Sequence, residues 1–416
     1  MRARTAVAVI VLLGTLGAFL LFGVGMTPEG GSLSEQWVSD TARENELNHH
    51  AVGVGPEGRV VVAPVAALPN SDVEITNTSC SLVRLAPDDG STLWRASTTA
   101  EACALHALTQ PAIADVDGDG GLEVVVTTTE NALVTYDADT GNESWRVPLG
   151  SYGYGRPTVA DVLPQEGPEV VTSTIRGNVV LVSGNGTLAW HVSLNETFGK
   201  RPSVWQRPIV SDVDADGSPE ILLGTNRGPV LLAANGFVEW TGTTSADYVG
   251  TAQADDDSAI EVFAAGGATV RMLDGKTGEI EWERNVTSTR LRTVTDGDGD
   301  GTPEVYLGKA GGKVIALDGA TGETEWSTTI TTSSDADVLS PVLEDVNGDG
   351  TLEVIAVAET GTVTVLDASS GTELATYERN VPILTFATPA DLDGDGSAEI
   401  LVRYGDGRVV ALEYEP

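Results

Sequence analysis

The chain has 416 residues and carries 61 acidic against 23 basic side chains, a net charge of −38. Such a surface repels nucleic acid and anionic lipid, which argues against either as a partner. With 4 histidines, none inside a recurrent motif, and with no G-x-S-x-G elbow, P-loop or H-E-x-x-H helix, no familiar catalytic constellation stands out.

Residues 5–26 are uncharged and rich in Val, Leu, Ala, Gly and Phe, with Arg2 and Arg4 before them. These 22 residues suffice to cross a hydrocarbon core ~30 Å thick, and the arginines predict an N-terminus kept in the cytoplasm. Residues 1–30 are therefore expected to form one transmembrane helix with a short linker, the protein's sole membrane contact, with the remainder facing the exterior. A cleaved signal peptide is the alternative, with Gly23 to Gly25 as its small-residue site. Sequons at Asn77, Asn142, Asn185, Asn195 and Asn285 fit external exposure. In an oxidising exterior Cys80 and Cys103 could pair and tie the first repeat unit to the second, although two separate buried thiols would look the same in sequence.

Beyond the anchor, Ser34 to Asp40 is an orphan stretch around Trp37, and a first unit follows from His50 to Trp94 with an insertion around Ala67 to Thr78 and no acidic turn. After it, all or part of D-x-D-x-D-G-x-x-E recurs seven times, starting at Asp115, Asp161, Asp212, Gln253, Asp296, Asp345 and Asp391, each time before a β-branched run. A period of about 40 to 50 residues marks a solenoid, propeller or array. Each unit reads as four strands. In the second these are Ala112 to Ala114, Glu123 to Thr129, Ala132 to Tyr136 and Ser144 to Val147, runs of Val, Thr, Ile and Leu separated by Gly, Asp and Asn. A Trp stands four residues after a turn Gly in six units, from Gly90 and Trp94 to Gly322 and Trp326; the seventh unit has Ala375 in its place, and the eighth ends at Pro416 before any Trp. Trp37 supplies the missing one if the N-terminal stretch closes a ring, which would also remove exposed sheet edges. The predicted fold is all-β: an eight-bladed propeller of four-stranded blades over residues 31–416.

The acidic turns place hard oxygen ligands at positions 1, 3, 5 and 9. Five are complete: Asp115, Asp117, Asp119 and Glu123; Asp212, Asp214, Asp216 and Glu220; Asp296, Asp298, Asp300 and Glu304; Asp345, Asn347, Asp349 and Glu353; Asp391, Asp393, Asp395 and Glu399. Alternating carboxylates on a tight turn suit Ca²⁺, and the Glu at position 9 with strands following differs from an EF-hand, which needs it at position 12 between helices. Acidic Asp-Gly turns that bind nothing are the plain alternative, but a turn by itself calls for neither the third acid nor the Glu. Leu163 and Gln165 wear out the turn at Asp161, while the one at Gln253 keeps Asp255, Asp257 and Glu261.

The run Ala316 to Trp326 resembles the repeat of pyrroloquinoline-quinone-like propellers, whose blades dock through Trp, and the acidic turns resemble those of FG-GAP and integrin-type calcium propellers. The resemblance implies that the tryptophans are packing anchors. The quinone enzymes of that family carry vicinal cysteines, which this chain lacks. The acid excess resembles that of haloarchaeal proteins, whose self-repulsion is screened in molar salt; the complete turns hold only 19 of the 61 carboxylates. The expected function is a membrane-anchored extracellular calcium-binding module for a protein or glycan. A carbohydrate-active enzyme of the polysaccharide-lyase kind is the alternative, with Arg156, Arg201, Arg207, Arg290 and Arg292 to meet an acidic sugar unless they pair with local carboxylates. A quinone-dependent dehydrogenase ranks behind it.

Overall fold

The computed structural model describes residues 30–41, 49–65, 80–99, 102–103, 107–164, 167–286, 289–333 and 336–416. The apolar segment 5–26, the insertion at 67–78 and Asn77 lie outside them. No helix among the described residues is long and apolar enough to cross a membrane.

The repeat folds as the sequence predicts. Eight antiparallel four-stranded sheets follow one another along the chain, and seven of them take their strands in order. In the second blade these are Ala112–Ala114, Glu123–Thr128, Ala132–Asp137 and Glu143–Pro148. The eighth blade is completed from the other end of the chain, where Ser32–Val38 pairs antiparallel with Val409–Glu415. First strands of neighbouring blades meet around the centre, and Thr388–Ala390 of blade 8 reaches Gly53–Val54 of blade 1, which closes the circle.

Sheet position explains composition. The second and third strands are covered on both faces by adjacent blades, so Glu123–Thr128 and Val61–Val65 are buried along their whole length and are written as nearly continuous β-branched runs. Outermost strands such as Thr92–Ser97 alternate between exposed and half-buried residues, the pattern of a strand with one solvated face. Every blade but the seventh, which has Ala375 in the Trp place, then locks to the next by a tryptophan. The indole Nε1 of Trp37, Trp94, Trp145, Trp190, Trp240, Trp282 and Trp326 donates to a backbone carbonyl of the following blade at 2.7–2.9 Å. The partner turn needs its glycine: at Gly90 (φ +68) a Cβ would stand 2.3 Å from the Trp37 ring. The conserved-spacing Gly of one blade thus serves the Trp of the blade before it.

Cys80 and Cys103 form a disulfide, which fastens the third strand of blade 1 to the segment leading into blade 2. Reduction is expected to cost about 3 kcal/mol, from the freedom regained by a closed loop of this size in the unfolded chain. A denaturant midpoint unchanged by reductant, or by replacing both cysteines with Ser, would contradict this.

Candidate functional site

In blades 2 to 8 the acidic turn joins the innermost strand to the second, so all seven turns rim one end of the central channel. Blade 6 shows the construction most completely. Asp296 accepts the amides of Gly299 and Gly301 through its two oxygens, Asp298 accepts that of Asp300, and Asp300 that of Thr302, all at 2.7–3.0 Å. Gly299 and Gly301 have φ of +78 and +97, which any other residue would occupy at a cost. In blade 4 the same turn survives with Ala215 at φ +59.

The position-9 glutamate has a structural duty that sequence reasoning denied it. One of its oxygens, Oε2, accepts the amide of position 2 in every turn, from Val116 in blade 2 to Leu392 in blade 8, at 2.5–3.0 Å. Even the worn turn at Asp161 keeps this bond through Glu169. The Glu is therefore partly a fold signal. Its second oxygen is what remains for chemistry, and in Glu261 and Glu304 that Oε1 is buried without a hydrogen-bond partner.

Donor atoms converge unevenly. Asp296, Asp298, Asp300 and Glu304 offer oxygens that all lie within 4.8 Å of one another. So do the three-acid sets Asp115, Asp117 and Glu123; Asp212, Asp214 and Glu220; Asp255, Asp257 and Glu261; and Asp391, Asp393 and Glu399. Asp119, Asp216 and Asp395 stay outside these sets; they hold the amides of Gly121, Ser218 and Ser397, as Asp300 holds that of Thr302. The turn at Asp345 gathers no three-acid set among the described residues; Asn347 there bonds Glu353 Oε1 at 2.8 Å, and Asp349 holds Thr351. Conversely, the turn at Gln253 gathers fully, its amide group donating to the Asp255 and Asp257 carbonyls.

Sequence reasoning missed a second set of acids. Opposite each docking Trp the outermost strand is bulged: Met272 pairs with Trp282 and Leu273 with Ile280, so Glu281 is the extra residue. Glu239 and Glu325 occupy the same place. A bulge re-aims its side chain, and these three face the acidic turns of their own blades. Burial first, then the charges of Glu304 and Asp298, push the Glu325 carboxyl up to about 7. Glu239 and Glu281 rise for the same two reasons. The Glu-Trp dipeptide, present only in blades 4 to 6, was the available signal. Among the position-9 glutamates, burial chiefly lifts Glu220 and Glu353 to about 7. Crowded, partly desolvated carboxylates with orphaned oxygens form a donor set of the hard type that a divalent cation neutralises.

The arginines considered from sequence divide. Arg156, Arg207, Arg290 and Arg292 line a cavity of about 380 Å³ at the centre of the ring, at the other end of the inner strands from the acidic turns. Arg201 is exposed and outside it. Among the described residues, only Arg290 follows the expectation of local pairing, with Asp337 at 3.0 Å and Glu359 at 3.4 Å.

Several solved structures share this architecture. BamB from Moraxella catarrhalis aligns with a TM-score of 0.59 at 16% identity, over 92% of this chain and 97% of that one. The quinohemoprotein alcohol dehydrogenase from Comamonas testosteroni aligns at 0.62 and 11% identity, over 92% and 76%. The computationally designed Ika8 protein aligns at 0.57 and 14%, over 91% and 99%. At such identities the likeness establishes the fold. Comparison with curated protein sequences gave no match. The family described as outer membrane protein assembly factor BamB matches residues 78–164 and 175–352, and on that match, which spans more than half of its length, the chain belongs to this family of PQQ-like-repeat propellers.

Proposed function

We propose that this protein is a calcium-binding propeller, anchored by its N-terminal apolar segment and facing the exterior, whose ring surface binds another protein or a glycan. The buried, unpartnered Oε1 atoms of Glu261 and Glu304 carry the calcium reading, since a buried polar atom without a partner costs stability that a cation would recover. The four-acid turn at Asp296 is the strongest site, and Asp115, Asp212, Gln253 and Asp391 begin the others. A family described by an assembly factor supports a protein partner, because assembly is work done on other proteins. The net charge of −38 supports a high-salt exterior, where repulsion is screened.

Calorimetric titration of the chelator-treated protein tests the reading. The expected result is several calcium sites, one fewer in Glu304→Gln; a titration with no heat or an unaltered stoichiometry argues against it. Acidity should act in the opposite sense to the usual carboxylate. Burial holds Glu220 and Glu353 up at about 7 in the folded protein, against about 4.5 for an ordinary glutamate, so the native state holds more protons than the unfolded one between those values. Stability of the calcium-free protein should therefore fall as pH rises from about 4.5 to about 7. Calcium, which needs the deprotonated form, should flatten that slope. Melting curves at pH 5 and pH 8, with and without calcium, check both statements.

A further inference from the structure

The central cavity is electrically out of character for this chain. Four arginines line it against one carboxylate, Asp247, in a protein of net charge −38. Among the described residues, Arg156, Arg207 and Arg292 form no ion pair, and the Nε of Arg156 is buried without a hydrogen-bond partner. Arg292 lies 3.5 Å over the Phe386 ring, a contact that leaves its N–H groups free. The three guanidinium groups feel one another: burial, then the Arg207 charge, lowers Arg156 to about 10, and burial followed by Arg207 and Arg156 depresses Arg292.

Their convergence is not a requirement of the repeat. Arg156 and Arg207 stand five residues before the first position of their acidic turns, where other blades place Gln110, Tyr248, Ser340 and Phe386. In blade 6 the register shift between Leu291 and Val294 brings Arg292 to the lining in their stead. The ring thus closes equally well over neutral side chains at this position. Proline follows Gln110, Arg156, Arg207 and Ser340, which fixes an extended backbone and aims each side chain from a rigid base. Beside the arginines, Trp205 meets Tyr154 edge to face at 5.0 Å. It is 39% exposed and is the one tryptophan of eight that docks no blade.

We propose that this cavity is a binding site for a small anion bearing carboxylate or phosphate groups, gripped by Arg156, Arg207 and Arg292 with its less polar face toward Trp205. Crowding like charges at one spot costs stability, and an anion that bridges the guanidinium forks recovers it through paired, charge-assisted hydrogen bonds. A volume of about 380 Å³ falls within the range of small-ligand pockets, roughly 300–1,000 Å³. The site is independent of calcium uptake, because the acidic turns lie at the opposite ends of the inner strands.

Calorimetry on the calcium-loaded protein at low chloride, with inorganic phosphate, succinate and glucuronate as probes and glucose as the neutral control, decides the matter. At least one anion should bind and glucose should not; Arg207→Gln at the cavity mouth should weaken binding tenfold or more, and Arg201→Gln should leave it unchanged. Arg292→Met should abolish binding while raising the melting temperature of the ligand-free protein, since it removes an uncompensated charge; an arginine with a purely structural role would lower it. The proposal is overturned if none of the three anions binds, if binding survives Arg207→Gln undiminished, or if Arg292→Met destabilises the ligand-free protein.

Discussion

Stripping calcium with a chelator at moderate salt is expected to lower the melting temperature by on the order of ten degrees or more. Five turns each bring three or four acidic groups within 4.8 Å of one another, and without a cation that repulsion is set against the fold. The turns are also joined to one another: the Ile260 amide of one blade bonds the Val213 carbonyl of the blade before at 2.8 Å, and Ala398 bonds Asp345 at 2.9 Å. Loosening one turn therefore weakens an interblade contact. A site held at a hundred times its dissociation constant contributes about 2.7 kcal/mol, so several together reach roughly 10 kcal/mol, with about 1 °C for each kcal/mol in a chain of this size. Molar potassium chloride should blunt the loss, since the screening length falls to about 3 Å. Differential scanning calorimetry with and without chelator measures the shift. A melt that does not move would remove the coupling between cation and fold.

Trp37→Ala should be the most damaging single substitution, at about 3–5 kcal/mol, and Trp205→Ala should cost less than about 1 kcal/mol. Trp37 is 6% exposed, donates to the Pro87 carbonyl of blade 1 at 2.7 Å and lies directly against the Gly90 turn. Its loss would empty the pocket between blades 8 and 1 and release the strand that closes the ring. The exposed edge of Val409–Glu415 would then invite self-association. Trp205 fills no such pocket. Chemical denaturation of both variants, with light scattering to detect oligomers, gives the comparison. Equal effects would mean that the docking bond carries no special share of stability.

The blades were legible because their instructions are local and repeated. A β-branched run, a turn with Gly and a Trp four residues on each report the environment of one strand, and six copies average out the noise of any single one. Ring closure was legible for a related reason: the surplus Trp37 at one end matched the deficit after Pro416 at the other. The acidic turns were only half legible. Their spacing showed where the carboxylates stand, but the bond from Glu Oε2 to the position-2 amide had to be seen before the fold signal in the glutamate could be recognised. The turn at Gln253 gathered better than its letters suggested, since an amide side chain can brace the turn through backbone carbonyls. Asn347 did the reverse by bonding the glutamate it was expected to assist.

Sequence alone determined the periodic parts: strand order, blade number, the docking tryptophans and the acid positions, all of which act within a few residues or between successive units. Only tertiary structure decided which side chains from different blades share a space. A one-residue bulge turns Glu239, Glu281 and Glu325 toward the acidic turns, and closure of the ring brings Arg156, Arg207 and Arg292 to one cavity across about 140 residues of chain. Periodicity fixes the environment of each strand, whereas the meeting of unlike residues at an axis follows from how eight twisted sheets pack around it, and no local pattern records that.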